Sequence, residues 1–180
     1  MAKRITKVTT KTGDDGTTGM ADGSRLSKSS ELISAIGEID ELNSWIGLLA
    51  SSSNLRKEKV LLRKIQNDLF DIGGCLAMRS KNGLQEGKIE WLEEKVNELN
   101  RELPSLDNFI LPGGHKDSSK AQIIRAVCRR SERALVLASK TELININCVI
   151  YINRLSDFLF VLARKINIDS GEEEILWKQT

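Results

Sequence analysis

The stretch Ile146-Asn-Cys-Val-Ile-Tyr-Ile-Asn-Arg-Leu-Ser-Asp-Phe-Leu-Phe-Val-Leu-Ala-Arg164 constrains the fold more than any other. Wound as a helix over about 146–167, it is apolar on nearly every side, through Val149, Ile150, Ile152, Leu155, Leu159 and Phe160. A helix that is hydrophobic all round must be enclosed by other elements, so it predicts the centre of a helical bundle. Four more stretches carry a three-to-four-residue apolar period that can enclose it. Leu32, Ile33, Ile36, Ile39, Leu42, Ile46 and Leu49 mark a helix over about 30–50. Val60, Leu61, Ile65, Leu69, Ile72 and Leu76 mark one over about 57–79, and Ile89, Leu92, Val96, Leu99 and Leu103 one over about 88–103. Ala121, Ile124, Cys128, Leu135 and Ala138 mark the last, capped at Ser118 or Ser119 and running to about 140. The expectation is an all-α five-helix bundle forming one domain over 1–180. Within it, 1–30 is an N-terminal segment, 31–167 the bundle and 168–180 an acidic, frayed tail. Gly73-Gly74 interrupts the second helix at about 2 kcal/mol of propensity, which predicts a kink or a closely packed neighbour.

Charge and cysteine usage narrow the function classes. The 27 basic and 25 acidic residues leave a net charge of +2, so nothing in bulk attracts nucleic acid or a membrane. No run of about 18 apolar residues predicts a membrane span, and the basic start Met1-Ala-Lys-Arg4 lacks the apolar run of a signal peptide. Cys75, Cys128 and Cys148 are odd in number and lack metal-ligand spacing. They read as buried free thiols in a reducing compartment, hence as cytoplasmic.

Five features can carry chemistry. Arg125, Arg129 and Arg133 fall in one stripe beside the apolar face of the fourth helix, with Glu132 next to Arg125 and Arg130 pointing elsewhere. Such a stripe is either a solvated basic face or a fork for phosphate or carboxylate. Asp40, at the edge of the first apolar arc, is either a surface carboxylate or the partner of one of those arginines. Asn153 and Asp157 share a face with Arg164 and either pair with the fourth helix or hold a ligand. Thr9 to Gly19 is dense in glycine and hydroxyls. It is either a flexible terminus or a polyphosphate cradle with Lys11 and Lys28, although no P-loop pattern occurs. Between helices, Phe109, Ile110 and Leu111 precede the turn Pro112-Gly-Gly114 and either cap the core or face a ligand. His115, the single histidine, reads as a surface loop residue.

Together these motifs resemble the PduO-type ATP:cob(I)alamin adenosyltransferases. The resemblance rests on Thr10-Lys-Thr-Gly-Asp-Asp-Gly16 with Thr18-Gly19, Asp40-Glu-Leu-Asn43, Phe109-Ile-Leu-Pro-Gly-Gly114, Arg125-x-x-Cys-Arg-Arg-x-Glu-Arg133 and Asn153-Arg-Leu-Ser-Asp157, in that order. It implies a ferritin-like, cobalamin adenosyltransferase-like bundle assembled as a homotrimer with active sites between subunits, and a flexible Gly/Thr-rich N-terminal nucleotide loop. The implied reaction moves the 5′-deoxyadenosyl group of ATP to cob(I)alamin and releases triphosphate, with Mg²⁺ carried by the triphosphate. The product could pass to an adenosylcobalamin-dependent enzyme.

The implied ATP ligands are Thr10, Lys11, Thr12, Gly13, Thr18, Gly19 and Lys28 from one subunit, and Arg129, Arg130, Ser131, Glu132, Arg133 and Asn153 from its neighbour. Arg129, Phe109 and Asn153 are the implied catalytic residues. Phe109 and Asp157 would lie on the cobalamin side, with Phe109 excluding the lower axial ligand of cobalt, and Asp40 would pair with Arg125 across the interface. Ser131, where alanine is common, and His115 after the glycines depart from the pattern. The chemistry agrees with the residues: cobalt(I) is itself the nucleophile, so the absence of a Ser–His or Cys–His dyad is no obstacle. The rival readings are a helical interaction module that binds protein or RNA through the arginine stripe, and a cobalamin carrier. The carrier would need an Asp-x-His-x-x-Gly motif that His115-Lys-Asp does not supply.

Overall fold

The structure is a computed structural model that describes residues 9–52, 54–80 and 83–179. A short hairpin, β1 (Thr17–Gly19) and β2 (Arg25–Ser27), precedes α1 (Glu31–Ala50), α2 (Lys59–Ala77), α3 (Glu86–Arg101), α4 (Lys116–Ala138) and α5 (Ile146–Asp169). The five expected helices are present, with ends shifted by a few residues, which is where periodicity carries least information. The start of α4 is a correction. Its cap is His115, whose Nδ1 accepts the Asp117 N–H at 3.2 Å. Ser118 is buried inside the first turn, and its hydroxyl donates to the Gly113 carbonyl. The His115 N–H donates to Asn167 Oδ1 at 3.0 Å, so this histidine ties α4 to α5 rather than serving as a loop residue.

α5 sits between α3 and α4, and α1 sits between α2 and α4. Tyr151, Leu155, Leu159 and Leu162 are fully buried along α5, as the apolar sequence requires. Each such side chain contributes about 1.5–3 kcal/mol of burial. By length and composition α5 could also cross a membrane, contrary to the sequence expectation, but its sides are packed against the bundle as a core helix. The polar exception at the centre is satisfied: the Tyr151 hydroxyl donates to Asp68 Oδ2 at 3.0 Å, and Asp68 also receives Lys64 and Lys88. Burial, followed by the adjacent Asp68 charge, pushes the Tyr151 phenol pKa up. α2 runs unbroken through Gly73 and Gly74, and a Cβ at either would meet open space, so no neighbour among the described residues requires them.

The tail is the largest departure from expectation. Leu176 bridges Ile110 in antiparallel fashion, the Leu111 N–H donates to Ile175 O at 2.8 Å, and the Trp177 N–H donates to Phe109 O at 2.7 Å. Arg164, predicted to share a face with Asn153 and Asp157, instead pairs with Glu174 of the tail. A three-residue pairing of this kind is set by tertiary contacts and has no periodic signature.

Candidate active site

The N-terminal strap is organised by Arg25, a residue the sequence reading did not single out. Its guanidinium donates to the Thr12 carbonyl and the Thr17 hydroxyl, and lies 3.6 Å from Asp15. Asp15 accepts the Thr17 N–H and hydroxyl, bonds that lower its pKa. Lys28 Nζ donates to Gly13 O at 2.7 Å, and the Gly16 N–H donates to the same carbonyl. Gly16 has φ +83°, a left-handed conformation that favours glycine. The Thr10 and Thr12 hydroxyls bond each other, Lys11 is exposed, and Thr18 and Gly19 lie in β1. The Asp22-Gly23 turn was the available hairpin signal; strands this short have no alternation to read.

α4 sorts its polar residues by face. Cys128 and Ser131 point inward and are fully buried. Cys128 Sγ donates to Ile152 O at 3.2 Å, and burial pushes its thiol pKa far up. The Ser131 hydroxyl bonds the main-chain carbonyls of Glu38 and Val127, so its side chain is turned away from the stripe. Arg130 is committed to α1: Nε donates to Glu38 at 2.7 Å and Nη2 to Glu41. Arg125, Arg129 and Arg133 make no ion pair among the described residues. Arg133 Nη1 donates to the Arg129 carbonyl, and Arg129 is exposed. Half-buried Arg125 donates Nε to Gln122 Oε1 at 2.8 Å; burial, then the neighbouring Arg129 charge, lower its pKa. Asp40 is exposed and makes no ion pair among the described residues.

Asn153 Nδ2 donates to Glu132 Oε1 at 2.9 Å, and Asn153 Oδ1 accepts from Arg154, which pairs with Glu93 of α3. Glu132 of α4 and Asn153 of α5 are therefore bonded to each other. Asp157 is exposed rather than buried; partial desolvation raises its pKa against the opposing pull of Arg154 and Arg129.

Beside the stripe opens a cleft of about 600 Å³, lined by Leu106, Phe109, Ile110, Gln122, Arg125 and Phe160 among others. Phe109 is 77% exposed, so it presents an apolar surface instead of capping the core. Its ring meets Trp177 edge-on at 6.4 Å between centroids. Sequence reading missed Gln122 and Trp177. Gln122 lies one helical turn before Arg125 and could have been found by i,i+3 spacing; nothing local marked Trp177. No hydrogen bond or ion pair among the described residues joins the strap to Arg125, Arg129 or Arg133. The strap is tied to the bundle at the end of α2, where the Ala21 N–H donates to Ala77 O, and by Met20 and Leu26, which pack on the core.

The sequence profile of the family described as cobalamin adenosyltransferase matches residues 8–166. The chain belongs to the cobalamin adenosyltransferase family. It is 46% identical to a cobalamin adenosyltransferase of Cupriavidus metallidurans, over 99% of this chain and 98% of that one. It is 40% identical to a corrinoid adenosyltransferase of Bacillus subtilis, over 97% and 93% of the two chains. Among solved structures it superposes, at TM-score 0.91 and 35% identity, on a phenylalanine-to-alanine variant of the PduO-type ATP:corrinoid adenosyltransferase from Lactobacillus reuteri complexed with cobalamin and ATP. That match covers 96% of this chain and all of the other. As a member of this family the chain is an enzyme of the ATP:corrinoid adenosyltransferase class, and the interaction-module and carrier readings have no support.

Proposed function

We propose that the protein transfers the 5′-deoxyadenosyl group of ATP to cob(I)alamin, giving adenosylcobalamin and triphosphate. One observation carries the reading: the exposed Phe109 lines a cleft beside α4, whose Arg129 and Arg133 make no ion pair among the described residues. A cationic edge on an apolar pocket suits a polyphosphate set beside a flat corrinoid. The electron pair of cobalt(I) attacks C5′ of ATP, the C5′–O bond breaks, and that bond's pair leaves on the triphosphate. The protein holds C5′ in line and neutralises the departing charge. Arg129 and Arg133 are free to do so from α4, whereas Arg130, fixed on Glu38 and Glu41, supports them by joining α4 to α1. The Glu132–Asn153 pair offers a fixed polar edge to the nucleotide. Mg²⁺ enters on the triphosphate. Phe109 packs below the corrin and excludes the lower axial ligand, with Asp157 nearby.

The active form in this reading is a homotrimer. Among the described residues the strap and the stripe share no bond, and both Asp40 and Arg125 lack an ion-pair partner, as expected if each meets its complement on the next subunit. Cys128 and Cys148 are buried thiols outside any disulfide, which suits a cytoplasmic enzyme, whereas Cys75 is only half-buried. Adenosylcobalamin would then pass to an enzyme that uses it. The test is incubation with ATP and chemically reduced cobalamin. The expected result is a corrin spectrum shifting to the alkylated form, with one triphosphate per adenosylcobalamin; an unchanged spectrum with intact ATP would sink the reading.

A further inference from the structure

A buried charged pair joins α5 to the tail. The Arg164 side chain is 4% exposed and that of Glu174 12%. Nε donates to Oε1 at 2.8 Å and Nη2 to Oε2 at 3.0 Å, a bidentate fork, while Nη2 also donates to the Pro104 carbonyl at 2.9 Å. One guanidinium thus joins the central helix, the start of the 104–114 connection and the tail. For stability alone this is a poor choice, because well-packed apolar residues in place of a buried ion pair are often as stable or more so. What such a pair supplies is register. Glu172, Glu173 and Glu174 follow one another, so composition alone leaves the tail free to slip. A slip of one residue would turn every side chain to the other side. With Glu174 seated on Arg164, Ile175 O meets the Leu111 N–H, the Trp177 N–H meets Phe109 O, and Asn108 Nδ2 meets Trp177 O at 2.9 Å. These bonds flank Phe109 on both sides.

We propose that the buried Arg164–Glu174 pair is a clasp that fixes the register of the tail against the 108–111 segment and so positions the Phe109 wall of the cleft for the corrinoid. Arg164 and Glu174 are positioning residues for that substrate, a role that rests on the function proposed above. Neither lines the cleft, so neither is expected to act on ATP.

The experiment compares the full chain with its Glu174→Ala variant in two arms. Hydrogen exchange read by mass spectrometry needs no activity. The variant should exchange faster at 109–111 and 175–177, with α1, α2 and α4 unchanged. Steady-state kinetics should then show KM for cob(I)alamin raised roughly tenfold, with KM for ATP unchanged, the pattern of one lost ground-state contact. If Glu174→Ala does not fold, the double variant Arg164→Met/Glu174→Leu, which removes both charges together, takes its place. Unchanged exchange in the folded variant overturns the clasp. Faster exchange with an unchanged corrinoid KM, or with both KM values raised alike, overturns its positioning role. If the unmodified protein shows no turnover, the function reading fails, while the exchange arm still decides whether the clasp exists.

Discussion

At the residue scale, the informative side chains are those whose charge is either fully matched or left open. Asp117 is matched: its buried carboxylate accepts from Ser52 at 2.7 Å, Lys120 at 2.9 Å and Asn54 at 3.3 Å. Burial raises its pKa, but those three bonds outweigh burial and hold it below the ordinary carboxylate range. A lowered folded-state pKa stabilises the fold above the unfolded value and ceases to do so as pH falls through the folded one. Asp117→Asn should therefore destabilise the protein by about 1–3 kcal/mol at neutral pH. The difference from the parent should shrink on acidification below about pH 4. Urea denaturation across that range measures both. Arg129 is the opposite case, exposed and without an ion-pair partner among the described residues. Arg129→Ala should leave the melting temperature within error and lower turnover at least ~100-fold, the scale of one lost charge-stabilising donor. Near-normal kcat would remove Arg129 from the catalytic set.

At the scale of elements, the turn into α4 shows how a short connection positions a site. Gly114 has φ +87°, and a Cβ there would lie 2.5 Å from Asn167 Oδ1. Asn167 receives the His115 N–H and donates to Gly113 O, so the turn is stitched to α5 next to the Phe109 segment. Gly114→Ala should cost about 1–3 kcal/mol from backbone strain alone, more with the displaced Asn167. Thermal unfolding measures it, and a neutral substitution would mean that the turn rearranges freely. The turn was legible from Pro112-Gly-Gly114, but its docking on Asn167 was not, because His115, which carries the bond, lies 52 residues from Asn167. The same limit hid the tail pairing, whereas the β1–β2 pairing is local but its three-residue strands are too short to show alternation. Each is held by a few specific bonds, and neither repeats often enough to produce a period.

At the scale of the whole molecule, no bond among the described residues connects the two halves of the proposed nucleotide site, and the complementary charges Asp40 and Arg125 are both unpaired there. A trimer resolves both. Light scattering on the purified protein should give three times the 20.1 kDa of one chain. ATP should slow proteolysis near residue 15, since a ligand that binds the assembled form stabilises it by mass action. A monomer with full activity would refute the shared site.

The sequence alone determined the helical class, the number of helices and the apolar centre, because burial of a periodic apolar face depends on local spacing and little else. It also placed Arg125, Arg129 and Arg133 on one stripe of α4, with Arg130 off it and Cys128 on the apolar face. Tertiary structure decided which of those arginines are free. Arg130 is consumed by α1, Ser131 is turned inward, and Arg164 is drawn to the tail and away from Asn153. Pairing between distant charges depends on which helices become neighbours and at what rotation, and a period along the chain carries no record of either.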